Sequence, residues 1–169
     1  MNGINGIPQR FVDRAGELAF LEEQWKQDRA SFVVVYGRRR IGKTALLSHF
    51  LSGRRGFYFL ATEESEAQNR AAFRALASQF SGNKLLAAST TAYWDLIFRE
   101  TLGSSRRSSG STRQDRLIIA IDEFQYLAKA NPAFPSILQK IWDSFLSGKN
   151  IMLILCGSSI SMMESSVLS

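Results

Sequence analysis

The chain has 169 residues, 45% hydrophobic and 21% charged. That balance suits one globular α/β domain with a sizeable core and excludes a disordered chain. No run approaches the ~18 apolar residues of a membrane-spanning helix, residues 1–6 lack the regions of a signal peptide, and the lone Cys156 excludes a disulfide framework or a Cys-rich metal centre. A soluble cytoplasmic chain with no membrane partner is the expectation. Net charge is +6, with much of the excess in Arg38, Arg39 and Arg40 and in Arg106, Arg107, Arg113 and Arg116.

Taken in order, Phe11-Val12-Asp13-Arg14 precedes a helical stretch in which Leu18, Leu21 and Trp25 recur on one face. Asp13 is the expected N-cap, because its carboxylate can accept from the first free amides. Phe11 and Val12 either wall a base or belong to an ordinary helix packed on a sheet. Phe32-Val33-Val34-Val35-Tyr36 does not alternate with polar residues and reads as a strand buried on both faces.

Gly37-Arg38-Arg39-Arg40-Ile41-Gly42-Lys43-Thr44 follows, a G-x-x-x-x-G-K-T phosphate-binding pattern that opens into the helical run beginning at Ala45. Strand, glycine turn and helix in that order separate this pattern from a chance match. Gly37 and Gly42 allow successive amides to face one anion, and the helix start adds its positive end. Positions 37–45 therefore form the candidate nucleotide-binding loop. Lys43 supplies an ammonium for the β- and γ-phosphates, and Thr44 a hydroxyl for Mg²⁺. His49, on the helix that follows, has no identifiable nucleophile or carboxylate partner in the sequence and reads as an ordinary helix residue.

Gly53-Arg54-Arg55-Gly56 is turn chemistry before a short strand, Phe57-Tyr58-Phe59-Leu60. The acidic turn Glu63-Glu64-Ser65-Glu66 leads into a helix with Phe73, Leu76, Ala77 and Phe80 on one face, stopped by Ser81-Gly82-Asn83. A further helix from about Thr91 carries Tyr93, Trp94, Ile97 and Phe98 on its apolar side, read as core more readily than as a base-stacking platform. Residues 103–116, rich in Ser and Arg, have almost nothing to bury and read as a mobile loop within the domain. Their arginines suit a solvated loop, the commoner case, or contact with nucleic acid.

Leu117-Ile118-Ile119-Ala120-Ile121-Asp122-Glu123 is an apolar run ending in two carboxylates. It describes a buried strand that delivers acids to the carboxyl edge of a parallel sheet, where doubly wound folds bind ligands. Asp122 is the candidate Mg²⁺ holder opposite Thr44, and Glu123 the residue that orients or deprotonates the attacking water. Pro135 suits the first turn of a helix bearing Ile137, Leu138, Ile141, Trp142 and Phe145, with Gly148 at its end. Ile151-Met152-Leu153-Ile154-Leu155-Cys156 is another apolar strand, followed by Gly157-Ser158-Ser159. Ser158, with Ser159 as the alternative, is the candidate γ-phosphate contact; an ordinary Ser-rich turn weighs evenly against it.

Together the Phe11-to-Arg14 segment with Glu17-Leu18, the arginine-rich loop, Ile121-Asp122-Glu123-Phe124-Gln125-Tyr126-Leu127 and Gly157-Ser158-Ser159 resemble the archaeal-type prokaryotic P-loop ATPases, allied to the AAA+ and STAND ATPases. The resemblance implies Walker A, Walker B and sensor-1 roles at these positions and a three-layer α/β core with a parallel sheet ordered 5-1-4-3-2. It implies ATP and Mg²⁺ as ligands. Only four strand candidates are present, so the expectation is a partial ATPase domain over 1–169, lacking the fifth strand, the lid with its second sensor and the effector domain. A homo-oligomer and a DNA-related role are compatible with it.

Two functional readings follow. One is an ATP-hydrolysing core that moves an attached domain or partner; the other is a slow-turnover nucleotide switch whose output is state-dependent contact. A GTPase fits less well, since Asn83-Lys84 is followed by Leu85-Leu86 and not by the Asp of a guanine reader. A small-molecule kinase also fits less well, because paired Asp122 and Glu123 favour water activation.

Overall fold

The computed structural model describes residues 14–37, 42–103 and 112–158, and all of these side chains except that of Arg113. In chain order the elements are α1 (Ala15–Lys26), β1 (Ser31–Tyr36), α2 (Lys43–Leu51), β2 (Gly56–Leu60), α3 (Glu66–Ser81), α4 (Lys84–Ala88), α5 (Trp94–Leu102), β3 (Leu117–Asp122), α6 (Phe124–Ala130), α7 (Phe134–Ser144) and β4 (Ile151–Gly157). Short 3₁₀ turns at Arg113–Asp115 and Leu146–Gly148 precede the last two strands.

The apolar runs become one parallel sheet, ordered β1-β4-β3-β2. This is the expected 5-1-4-3-2 order without its first member. Continuous apolar strands need cover on both faces, and the helices supply it. Val33, Ile118, Ala120, Met152, Ile154 and Cys156 pack under Leu21 of α1 and Leu46, Leu47 and Phe50 of α2. The opposite face, with Phe57, Phe59, Ile119, Ile121, Leu153 and Leu155, is covered by α3 and α5–α7. There Phe73 lies at the centre, its ring 5.2 to 5.7 Å from those of Phe57, Phe59, Trp94 and Phe98. Such pairs add ~0.5–1.5 kcal/mol each beyond the area they bury.

Local chemistry explains the element ends. Ser65 caps α3 through a capping box with Gln68, and Gly82 closes the helix in the left-handed region. The same turn starts α4, which the sequence reading lacked: Asn83 accepts from the amides of Leu85 and Leu86. At five residues α4 is too short to show a helical period.

Several expectations need correction. β1 is only partly buried, and Tyr36 at its end is exposed, because β1 lies at the edge of the described sheet. The helix expected from Thr91 begins at Trp94, leaving Tyr93 at its cap and 69% exposed, off the apolar side. Helix α7 ends at Ser144, and Gly148 closes the 3₁₀ turn beyond it. Arg14 occupies the cap position of α1, without a side-chain cap bond; Asp13, like Phe11 and Val12, lies outside the described residues.

The largest correction concerns the segment read as a mobile loop over 103–116. Residues 104–111, with Arg106 and Arg107, lie outside the described residues, but the end of the segment is structured and Arg116 is fully buried. Its Nη1 donates to the carbonyls of Gln24, Trp25 and Gln27. Its Nη2 donates to the carbonyls of Arg29 and Ile151 and to Ser31 Oγ. Two of these acceptors lie in the last turn of α1, where carbonyls lack intrahelical partners and a cation meets the negative helix end. Arg116 thus ties α1, the start of β1 and the start of β4 together, and it is not a solvated contact for nucleic acid.

Candidate active site

Parallel order places the carboxyl ends of β1, β3 and β4 side by side, and the chemistry-bearing residues follow those ends. Gly42 stands at the N-cap of α2 with φ of 80°. Among the described residues a Cβ there would meet Arg14 Nε at 3.8 Å, and the left-handed backbone favours glycine. Lys43 follows, 6% exposed, with its ammonium donating to the Gly37 carbonyl at 2.6 Å, just beyond the end of β1. Ala45 sits in the same first turn. Arg38, Arg39, Arg40 and Ile41 lie outside the described residues.

Thr44 and Asp122 meet across the gap between α2 and β3. Thr44 Oγ1 donates to Asp122 Oδ2 over 2.8 Å, although 78 positions separate them in sequence. Asp122 is 1% exposed, and a carboxylate so buried needs several donors. Tyr58 donates its hydroxyl to the same Oδ2 at 2.6 Å, and the Glu123 amide donates to Oδ1 at 2.8 Å. Burial, then the Asp122 carboxylate, pushes the Tyr58 phenol far above its ordinary range. The same two causes, in the same order, push up the buried Cys156 thiol on the neighbouring strand. Both groups therefore stay protonated and can donate to Asp122.

Glu123 is the one non-glycine among the described residues with positive φ, at 53°. That conformation costs ~1–2 kcal/mol for a residue bearing a Cβ, and strain of this kind gathers at functional sites. It turns the chain sharply between β3 and α6. Gln125 Nε2 donates to Glu123 Oε2 and, over 2.9 Å, to Ser158 Oγ. Ser158 Oγ in turn donates to Glu123 Oε2 at 3.1 Å, and the Ser158 amide donates to Gln125 Oε1 at 3.3 Å. Ser159 lies outside the described residues. His49 is exposed on α2.

The structure thus brings together Thr44 with Asp122, and Glu123 with Ser158. Two participants were absent from the sequence reading of the site. Tyr58 shows only as a polar-tipped ring in a short strand, with nothing local to reveal its acceptor. Gln125 stands inside the Asp-Glu-Phe-Gln quartet but was read as part of a resemblance without a role.

The donor set suits Mg²⁺. Thr44 Oγ1 and Asp122 Oδ2 are hard oxygens within one ion's reach, and no cluster of three or more His, Cys, Asp or Glu suited to a metal occurs among the described residues. Magnesium takes few protein oxygens and completes its shell with water and phosphate. No helix among the described residues is long and apolar enough to cross a membrane.

The chain is similar to several known proteins. An uncharacterised protein of Methanocaldococcus jannaschii is 38% identical over 159 residues, covering 94% of this chain and 32% of its own length. An uncharacterised ATP-binding protein of the same organism is 47% identical over 45 residues, which are 27% of this chain and 76% of that one. The chain thus spans about a third of the first relative. Among solved structures, a Walker-type ATPase of Pyrococcus abyssi superposes with a TM-score of 0.59 at 23% identity, covering 90% of this chain and 47% of that one. A chain of Drosophila ORC bound to DNA gives 0.64 at 21% identity, covering 92% and 40%. These two likenesses establish the fold alone, a parallel α/β core shared with both. A family model described as an ATPase domain predominantly from Archaea matches residues 11–169, and the chain belongs to that family.

Proposed function

We propose that residues 1–169 form the nucleotide-handling part of an ATPase that binds ATP with Mg²⁺ and hydrolyses it. The observation that carries this reading is the 2.8 Å bond between Thr44 and Asp122, which joins the helix after the glycine loop to the end of a buried strand. In this reading Lys43 and the amides of positions 37–45 hold the phosphate tail, as oriented N–H groups at a helix start do. Thr44 and Asp122 hold the magnesium. Bound there, the ion supplies charge neutralisation for the β- and γ-phosphoryl oxygens. Glu123 orients or deprotonates the attacking water, and Ser158 contacts the γ-phosphate from the next strand.

The proposal extends to output. Closure around nucleotide moves an attached domain or partner, and the matched relatives extend well beyond the matched span. A slow-turnover switch is the second reading. It is favoured by one observation: Glu123 Oε2 already accepts from both Gln125 and Ser158, so the carboxylate is held before any water reaches it.

Single-turnover hydrolysis measured beside ATP affinity tests both. Lys43→Ala is expected to weaken ATP binding by about 10²-fold or more, the scale of a lost charge-assisted contact. Glu123→Gln is expected to keep ATP bound and slow hydrolysis by about 10²-fold or more. Unchanged affinity in the first variant removes the phosphate-loop reading. Full turnover in the second assigns the water to another residue, and tight binding with negligible wild-type turnover selects the switch.

A further inference from the structure

Gln125 sits in the first turn of α6, 7% exposed, between the ends of two neighbouring strands. A buried primary amide has two N–H donors and one carbonyl acceptor to satisfy. Here all three are used on the active-site cluster. One N–H meets the Glu123 carboxylate, the other meets Ser158 Oγ, and Oε1 takes the Ser158 amide. The orientation is dictated by chemistry: reversed, the amide would press oxygen on carboxylate and N–H on N–H.

This rests on the ATPase reading above and deepens it. We propose that Gln125 is the positioning residue that couples Ser158 to Glu123, so that a phosphate engaging Ser158 alters what Glu123 can accept. The argument is a proton count. Ser158 has a single hydroxyl hydrogen, and in this structure it goes to Glu123 Oε2. Donating it to a phosphate oxygen withdraws it from Glu123, and a lone pair on Oε2 opens to a water molecule. Gln125 keeps both partners in register during that exchange, because its remaining bonds to the Ser158 amide and the Glu123 carboxylate do not involve the transferred hydrogen bond. A glutamine reaches both strand ends from α6. Asparagine, one methylene shorter, retains the groups and loses the reach, and methionine retains the volume and loses the groups.

The test uses Gln125→Met, Gln125→Asn and Ser158→Ala, singly and combined, with three readouts: the ratio of ATP to ADP affinity, single-turnover rate, and amide exchange of Ser158 without nucleotide. Gln125→Met is expected to slow turnover about 10-fold or more, to leave ADP affinity within about threefold and to lower ATP discrimination. Ser158→Ala is then expected to cost at least about threefold less in the Gln125→Met background than in wild type, as coupled neighbours do. Exchange at the Ser158 amide is expected to quicken. If Gln125→Met does not fold, Gln125→Asn carries the same expectations. Additive effects with ATP and ADP affinity falling together would make Gln125 a structural residue and overturn the coupling. A wild-type chain that neither binds nor hydrolyses ATP would overturn the ATPase reading itself. A functioning wild type, a Lys43→Ala that loses ATP binding as expected and an unaffected Gln125→Met would overturn this inference alone.

Discussion

Strand β3 carries a buried ionisable group at each end, and the two ends are satisfied by different means. Arg116, just before the strand, and Asp122, at its close, are each 1% exposed. The guanidinium donates to five backbone carbonyls and to Ser31 Oγ. The carboxylate is held by the hydroxyls of Thr44 and Tyr58 and one amide. Backbone carbonyls fixed by a helix end and two strand starts have nowhere to go. Side-chain hydroxyls rotate, and a carboxylate surrounded by them can exchange a donor for a cation. The same burial therefore makes a clamp at one end and, at the other, a carboxylate held by rotatable donors.

Substitutions at the two ends should separate stability from ligand binding. The largest expected effect is on folding. Arg116→Met, which keeps an unbranched apolar stem and removes every donor, should lose about 3 kcal/mol or more in denaturant unfolding, because several buried carbonyls lose a charged partner at once. Arg116→Lys should recover only part of it, since an ammonium has three donors and no planar fork. A loss below about 1 kcal/mol would mean that the carbonyls find other partners and that the clamp is weak.

A smaller effect is expected at Tyr58. Tyr58→Phe removes one of two hydroxyls on Asp122 Oδ2 and should lower stability by about 1 kcal/mol in magnesium-free protein, less than a fully buried charged bond because the phenol is only partly buried. Saturating Mg²⁺ with nucleotide should narrow the gap, as a bound ion replaces a missing donor. A deficit that persists unchanged with ligand would place Tyr58 with the fixed scaffold, erasing the contrast between the two ends.

How much of this was legible in the chain follows from the same contrast. Strands β3 and β4 and the glycine loop are local patterns: an apolar run, then a carboxylate or a turn. Their alignment at one edge follows from the parallel order expected of such runs. Arg116 was not legible, because its neighbours in sequence are Ser- and Arg-rich and its acceptors lie 35 to 92 positions away. Tyr58 was hidden for a similar reason, since its acceptor is 64 positions on. Gln125 escaped because its role depends on the left-handed turn at Glu123, a conformation that no residue type there announces. The partial burial of β1 depends on what lies beside it, and that is a property of the sheet and not of its own apolar run.

The central claim is that Thr44 and Asp122 form the magnesium end of a phosphate site. The direct measurement is ATP affinity with Mg²⁺ and with chelator, in wild type and in Asp122→Asn. Wild type should bind ATP about 10-fold or more tightly when Mg²⁺ is present, and the variant should lose that increment while its metal-free affinity stays within about threefold. An Asp122→Asn chain that keeps the full magnesium-dependent gain would contradict the account.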